Sequence, residues 1–360
     1  MDAEVDVAVV GGGVVGCAVA SRLARAGNEV LLLEGGQRLG DGVTSRNSGV
    51  IHSGLYYAPG SLKAQACVRG NALLYEWARA RGVPHGRPGK LVIAPDAADL
   101  PDLEALEANA RANGAPGVEL VPAAFVRARE PTVQAAAALW CPQTGIVDAV
   151  ELARSLATDA AEHGALVLTQ ARVQAISRSG SAYELETARG PVRAQRVVNA
   201  AGLHADEVAA LAGVDRYQIH PWRGDYFRFT PATPYRHLVY PVRRRGAAGL
   251  GVHLTLDLAG RCRLGPDVEH VARKDDYSPR EDKLPAFLAA ARSLLGEVRA
   301  DQLAYDGCGI RPKLRGPSDR EDKDFVLSED LPGFVNLVGI ESPGLTAALA
   351  LAERVAALLA

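Results

Sequence analysis

Three glycines carry the first chemistry in the chain: Gly11, Gly13 and Gly16 of Gly11-Gly12-Gly13-Val14-Val15-Gly16. The first permits a tight turn, the second lets backbone approach a pyrophosphate, and the third lets a helix pack closely on a strand. A helix that starts there offers its N-terminus to an anion. Glu34 ends the next apolar run, where a carboxylate can hold a pair of ribose hydroxyls. The set describes a dinucleotide site, against the plainer alternative of a glycine turn beside a surface Glu. It does not choose between NAD and FAD.

Two histidines are candidates for proton transfer. His253 lies in Gly251-Val252-His253-Leu254-Thr255, which reads as a strand. It suits a base that accepts a hydroxyl proton, or else a half-buried sheet histidine. His52 closes a loop that concentrates Thr44, Ser45, Arg46, Asn47, Ser48 and Gly49. It is the second candidate base, or a packed histidine in a turn that Ser, Asn and Gly favour for local reasons.

Gly309-Ile310-Arg311-Pro312-Lys313 brings two cations into a stiffened turn. A planar guanidinium is the usual bidentate partner of a carboxylate, and an exposed basic turn is the alternative. Arg243-Arg244-Arg245 reads as a solvated hairpin tip. Gly339-Ile340-Glu341-Ser342-Pro343-Gly344-Leu345-Thr346 places a strand, a glycine turn and a helix start together. Amides at such a start can stabilise charge on a reduced flavin ring, though an ordinary connection has the same spacing.

The elements that must position these residues follow from periodicity. A β-branched strand over 5–10, a helix over 17–26 and a strand over 29–33 form one strand–helix–strand unit. Helices are expected over 62–81, 98–113, 149–163 (capped by Asp148), 278–295 and 345–359, and strands over 89–94, 166–168, 172–177, 183–187, 192–198 and 334–338. From 217 to 265 the pattern changes to longer strands bearing Tyr226, Phe227, Phe229 and Tyr240, as in an antiparallel sheet. The fold class is α/β with an α+β second domain: a Rossmann-like nucleotide-binding domain interleaved with an antiparallel-sheet substrate domain. The expected division is 1–85, 145–215 and 305–360 for the first domain, and 86–144 and 216–304 for the second.

At 360 residues the chain has room for about two domains. Lys and Arg number 40 against 42 Asp and Glu, which removes the electrostatic case for nucleic acid or an anionic membrane. The five cysteines form no Cys-x-x-Cys pair and no zinc spacing, so reduced thiols of a cytoplasmic protein and no metal are expected. The acidic start Met1-Asp2-Ala3-Glu4 and the short, glycine-rich stretch 7–20 predict no targeting or transmembrane segment.

The chain resembles the FAD-dependent D-amino-acid-oxidase-like superfamily, and within it L-2-hydroxyglutarate dehydrogenases/oxidases. The likeness rests on Ser45-Arg46-Asn47-Ser48-Gly49-Val50-Ile51-His52, Tyr56-Tyr57, Gly60-Ser61-Leu62-Lys63-Ala64, Asn199-Ala200-Ala201-Gly202-Leu203-His204, Tyr240-Pro241-Val242, Gly251-Val252-His253, and the two motifs beginning at Gly309 and Gly339. It departs in carrying three arginines after Val242, where the family more often has a proline-containing turn.

The resemblance implies noncovalent FAD, with its pyrophosphate at Gly11, Gly13 and Gly16 and its ribose on Glu34. It implies that Thr44, Ser45, Arg46, Asn47, Ser48 and Gly49 embrace the flavin together with Ser342, Gly344, Leu345 and Thr346. Val173 would support the adenine end, and Ala201, Gly202 and Gly309 would pass close to the cofactor. The implied reaction is oxidation of an L-2-hydroxy acid, most closely L-2-hydroxyglutarate to 2-oxoglutarate. In it His253 takes the hydroxyl proton, with His52 as the second candidate, and Arg311 clamps a carboxylate. Tyr57, Tyr240 and Lys313 are further candidates for the other end of a dicarboxylate. Glycerol 3-phosphate or amine oxidation, or flavin binding without turnover, are the competing activities, and the electron acceptor is left open among oxygen, a quinone and a carrier.

Overall fold

A computed structural model gives the fold, described for residues 3–231, 235–243 and 251–360. Arg244 and Arg245, and with them most of the expected hairpin tip, lie outside the described residues.

Five parallel strands make the centre of the first sheet, in the order Phe334–Val338, Gly190–Asn199, Ala3–Val10, Val30–Leu33 and Leu166–Leu168. Strands of this kind are buried on both faces, which is why they read as unbroken apolar runs. Antiparallel strands Val173–Ser179 and Ala182–Thr187 extend one edge, and Val326–Leu331 pairs with Phe334–Val338. The helix Val14–Arg25 packs against the helices Ala149–Glu162 and Gly344–Leu358 over one core. Asp148 caps the second of these, accepting hydrogen bonds from the amides of Val150 and Glu151.

The second sheet runs Glu269–His270, His220–Phe229, Cys262–Leu264, Leu254–Leu256, Leu238–Pro241, Lys90–Ala94, Ala137–Cys141 and Glu119–Pro122. Its neighbours are antiparallel except where Leu238–Pro241 and Lys90–Ala94 run parallel. A strand not anticipated from the sequence, Leu303–Lys313, pairs along His220–Phe229. The boundary expected at 305 falls inside this strand, and the basic segment expected as a turn is its last five residues. Backbone pairing with His220–Phe229, from His220↔Lys313 to Phe229↔Leu303, stretches that segment out.

Two other expectations change. The helix expected from 278 begins at Leu284, with Pro285 in its first turn, where proline's missing N–H costs nothing. His253 stands just before the strand Leu254–Leu256 rather than within it. The helix Leu62–Arg81 matches the expected span and is capped by Ser61, whose side chain accepts from the amide of Ala64. Gly70 lets this helix lie against Gly344–Leu358, because a Cβ there would collide with the carbonyl of Thr346. That contact brings the 50s loop to the start of the closing helix. Among the described residues, no helix is long and apolar enough to cross a membrane.

Candidate active site

The end of the first parallel strand and the start of its helix form the floor of a cavity of about 860 Å³. Gly11 holds φ at +113°, and a Cβ on it would strike the carbonyl of Ala200. A Cβ on Gly16 would strike the carbonyl of Gly11, so the helix rests directly on the turn. Thr44 Oγ1 accepts from the amide of Val14 at 3.1 Å and ties the 40s loop to the helix start. Glu34 lines the cavity and accepts from the amides of Gly12 and Gly36, at 2.7 and 2.5 Å. Its carboxylate is thereby held rigid beside the glycine turn.

The predicted residues divide into those on the cavity wall and those behind it. Gly11, Gly13, Glu34, Thr44, Arg46, Asn47, Ser48, Ala201, Gly202, Gly309, Ser342, Gly344 and Leu345 line the wall, as do His52, His253, Tyr57, Tyr240, Arg311 and Lys313. Gly16, Ser45, Gly49, Val173 and Thr346 do not, and each has a local task. Ser45 donates to the carbonyl of Asp41, Gly49 donates to Asn47 Oδ1, and Val173 packs in the first core. Thr346 Oγ1 accepts from the amide of His52 at 2.9 Å and so fixes the second histidine. Asn47, though on the wall, spends its side-chain amide on the carbonyl of Thr44 at 2.7 Å.

At the other end of the cavity His253 is buried and lies flat on Tyr240, ring centroids 3.8 Å apart. Its Nδ1 donates to the carbonyl of Gly251 at 2.9 Å, which leaves Nε2 as the ring's acceptor. Burial pushes its pKa down to about 3, and the charges of Lys90 and Arg311 act in the same direction against the Gly251 bond. His52 is also pushed down to about 3, by burial first and then by Lys90 and His253. Both imidazoles are neutral at pH 7. Burial likewise raises the phenols of Tyr57 and Tyr240, keeping them as hydrogen-bond donors.

Arg311 forms no ion pair among the described residues; its one hydrogen bond there is to the carbonyl of Asp267, at 3.3 Å. Gly224 makes room for it, since a Cβ at that position would come within 2.8 Å of Arg311 Nη2. Lys313 is differently placed. It pairs with Glu341 at 3.2 Å and Asp322 at 3.6 Å, and Lys63 pairs with the same Glu341 at 2.9 Å. The cationic rim is therefore largely neutralised, and among the described residues Arg311 and Arg46 are the wall guanidiniums with no ion pair, Arg46 being stacked on Tyr277.

Several wall residues were not singled out as site residues from the sequence. Tyr226 shares a hydrogen bond with Ser48 at 3.0 Å, and Tyr277 stacks under Arg46 with 4.1 Å from Cζ to ring centre. Tyr56 lines the cavity with its hydroxyl unpartnered. The aromatic content of 217–265 hinted at the first and the Tyr56-Tyr57 pair at the third; nothing local marks Tyr277.

Comparison with known proteins accounts for this arrangement. A family model described as FAD dependent oxidoreductase matches residues 6–358. The chain is 34% identical to the mitochondrial L-2-hydroxyglutarate dehydrogenase of Arabidopsis thaliana, covering 98% of this chain and 83% of that protein. It is 38% identical to the human protein of the same name over 76% of this chain, and spans 63% of that protein's length. Among solved structures it is similar to the FAD-bound, dithionite-reduced L-α-glycerophosphate oxidase of Mycoplasma pneumoniae, with a TM-score of 0.90 and 27% identity over 99% of this chain and 94% of that one.

The residues present fit FAD. The glycine cradle leaves no room for a Cβ beneath a pyrophosphate, Glu34 stands where a ribose needs an acceptor, and the cavity continues past them to the histidines. Its volume is within the roughly 300–1,000 Å³ of cofactor and ligand sites. The chain belongs to the FAD-dependent oxidoreductase family.

Proposed function

We propose that this protein oxidises an L-2-hydroxy acid, L-2-hydroxyglutarate to 2-oxoglutarate, with FAD as its redox cofactor. The observation that carries the reading is the pairing, at one end of the cavity, of an unpaired guanidinium, Arg311, with a neutral imidazole, His253. A 2-hydroxy acid needs both: a clamp for its carboxylate and an acceptor for its hydroxyl proton. The name shared by the Arabidopsis and human relatives supports the same substrate.

When bound, FAD supplies the acceptor for the hydride that leaves C2. The protein supplies the remainder. Arg311 takes the carboxylate in its planar fork, which sets the orientation of C2. His253 Nε2 accepts the hydroxyl proton as the C–H bond breaks, and the Tyr240 ring holds the imidazole plane. Tyr57 is positioned for the distal end, its carbonyl anchored by Asn109 and Asn113 at 2.9 Å each. Lys313 contributes to that end through a charge shared with Glu341 and Asp322. His52, with Nε2 3.3 Å from Ser342 Oγ, is the second candidate base. We assign the first sheet with its helices to the cofactor and the second sheet to the substrate.

The likeness to a glycerophosphate oxidase supports a second reading, oxidation of glycerol 3-phosphate. A phosphate dianion calls for several free cations, whereas Lys63 and Lys313 are already matched by Glu341 and Asp322. The carboxylate reading is favoured for that reason. An anaerobic visible spectrum of the FAD-loaded protein decides between them. Bleaching by L-2-hydroxyglutarate and not by the D form is expected; bleaching only by glycerol 3-phosphate or an amino acid would overturn the proposal.

A further inference from the structure

Six lysines occur in the chain, and five of them pair with carboxylates. Lys63 and Lys313 meet Glu341, Lys274 meets Asp206, Lys283 meets Asp225, and Lys323 meets Asp319. Among the described residues Lys90 has no such partner. It is wholly buried, and its Nζ has no hydrogen bond to any described residue. The ammonium instead sits 4.7 Å from the ring centres of both Tyr56 and Tyr240. These two rings line the substrate end of the cavity, and Lys90 is screened from it by them. Tyr56 Oη and His52 Nδ1 are likewise buried and unpartnered. An unmatched donor set in a low-dielectric wall is costly unless something with negative charge or lone pairs completes it.

The placement follows from the fold. Lys90 opens the strand Lys90–Ala94, opposite Leu238 in one neighbour and Cys141 in the other, so its stem enters the apolar second core. The titratable groups around it are Tyr56 from the 50s loop, Cys67 from the helix Leu62–Arg81, Cys141 from the next strand and Tyr240 from the parallel one, with His52 and His253 beyond. None is a carboxylate. On the other side of these two rings is the cavity, where the proposed substrate brings two carboxylates.

We propose that Lys90 is a positioning residue whose buried ammonium, held behind the Tyr56 and Tyr240 rings, is the counter-charge for the anionic substrate. A cation beside an imidazole disfavours its protonation, and an incoming dianion cancels that effect and restores the ring's basicity. Burial alone pushes the Lys90 pKa down, so the dianion also stabilises its charged form. The inference rests on the hydroxy-acid reading above.

The test uses the FAD-loaded protein and glutarate, a dicarboxylate that carries no oxidisable hydroxyl. In Lys90→Met, glutarate binding, read from perturbation of the flavin spectrum, is expected to weaken at least tenfold, with acetate affected much less. The acid limb of kcat/KM is expected to move to higher pH by about one unit, because His253 loses a repelling neighbour. FAD content is expected to stay as in the wild type, which a purely structural role for the lysine would not require. A flavin-loaded variant that binds glutarate within twofold of wild type, with its acid limb unmoved, would overturn the proposal. A reading that needs no change at position 90 comes from lysine labelled with 15N at Nζ in the wild type, with K63R, K274R, K313R and K323R identifying the four lysines that line the cavity. Glutarate is expected to raise the pH at which the Lys90 signal titrates; a titration unmoved at saturation overturns the proposal equally. If wild-type flavin is not bleached by L-2-hydroxyglutarate, the substrate reading falls, while glutarate binding still decides the role of Lys90.

Discussion

The rings of Tyr240 and His253 stack with their planes 23° apart, and the Nδ1 of the histidine is bound to the carbonyl of Gly251. The two contacts leave the imidazole one free nitrogen and one orientation. A general base needs this kind of preparation, since its contribution depends on reach before it depends on pKa.

Replacing His253 by Ala is expected to lower the rate of anaerobic flavin reduction by about 10²- to 10⁴-fold, the usual weight of general-base catalysis. FAD content, read at 450 nm, is expected to stay unchanged, because the dinucleotide cradle lies at the other end of the cavity. Normal reduction by a flavin-loaded variant would move the role to His52.

Arg311→Met is expected to lower kcat/KM for the hydroxy acid by roughly ten- to a hundredfold, from a lost charged hydrogen bond of about 1.5–3 kcal/mol. Arg311→Lys is expected to recover only part of it, since a point charge does not reproduce a planar fork. Steady-state kinetics on both variants checks this. Equal activity of Lys and Arg at this position would argue against bidentate binding.

The cradle makes a prediction about colour. Gly16→Ala places a methyl against the carbonyl of Gly11 and is expected to yield protein that FAD cannot saturate. Glu34→Ala is expected to weaken FAD binding while excess FAD still restores the yellow form, because only the proposed ribose contact and the two amide bonds to Gly12 and Gly36 are lost. Titration of the apoproteins with FAD distinguishes the two.

Acid stability follows from the buried imidazoles. His52 and His253 are held at about 3, against an ordinary 6.5, so between these values the unfolded chain binds more protons than the folded one. Their contribution is complete above pH 6.5 and is lost progressively as pH falls toward 3. The thermal midpoint of the wild type is expected to drop through that window, and His253→Gln is expected to make the drop shallower. Identical curves for the two proteins would contradict neutral burial of His253.

Local spacing made the strand–turn–helix floor of the cavity legible. Gly11, Gly13, Gly16 and Glu34 act within one strand–helix–strand unit, where the backbone itself sets who meets whom, and each stands in the structure where the pattern implies. The helix Leu62–Arg81 was read at its observed span, and the structure closes it with a Ser61 cap and a Gly82 in the left-handed conformation. The parallel strands announced themselves as apolar runs between turns.

The cavity wall around Arg311 and Lys313 was decided by tertiary structure. Nothing near Lys313 in the chain reveals that Glu341 and Asp322 neutralise it, and nothing near Arg311 reveals that it has no such partner among the described residues. The strand Leu303–Lys313 exists because His220–Phe229 supplies its hydrogen bonds, a pairing across some eighty residues that no local pattern reports. Lys90, Tyr56, Tyr240 and His253 come from three distant segments and acquire meaning only when the second sheet assembles them. Backbone geometry acts over a few residues and is written in local spacing; desolvation and charge pairing act through space, and only the folded chain determines which groups they join.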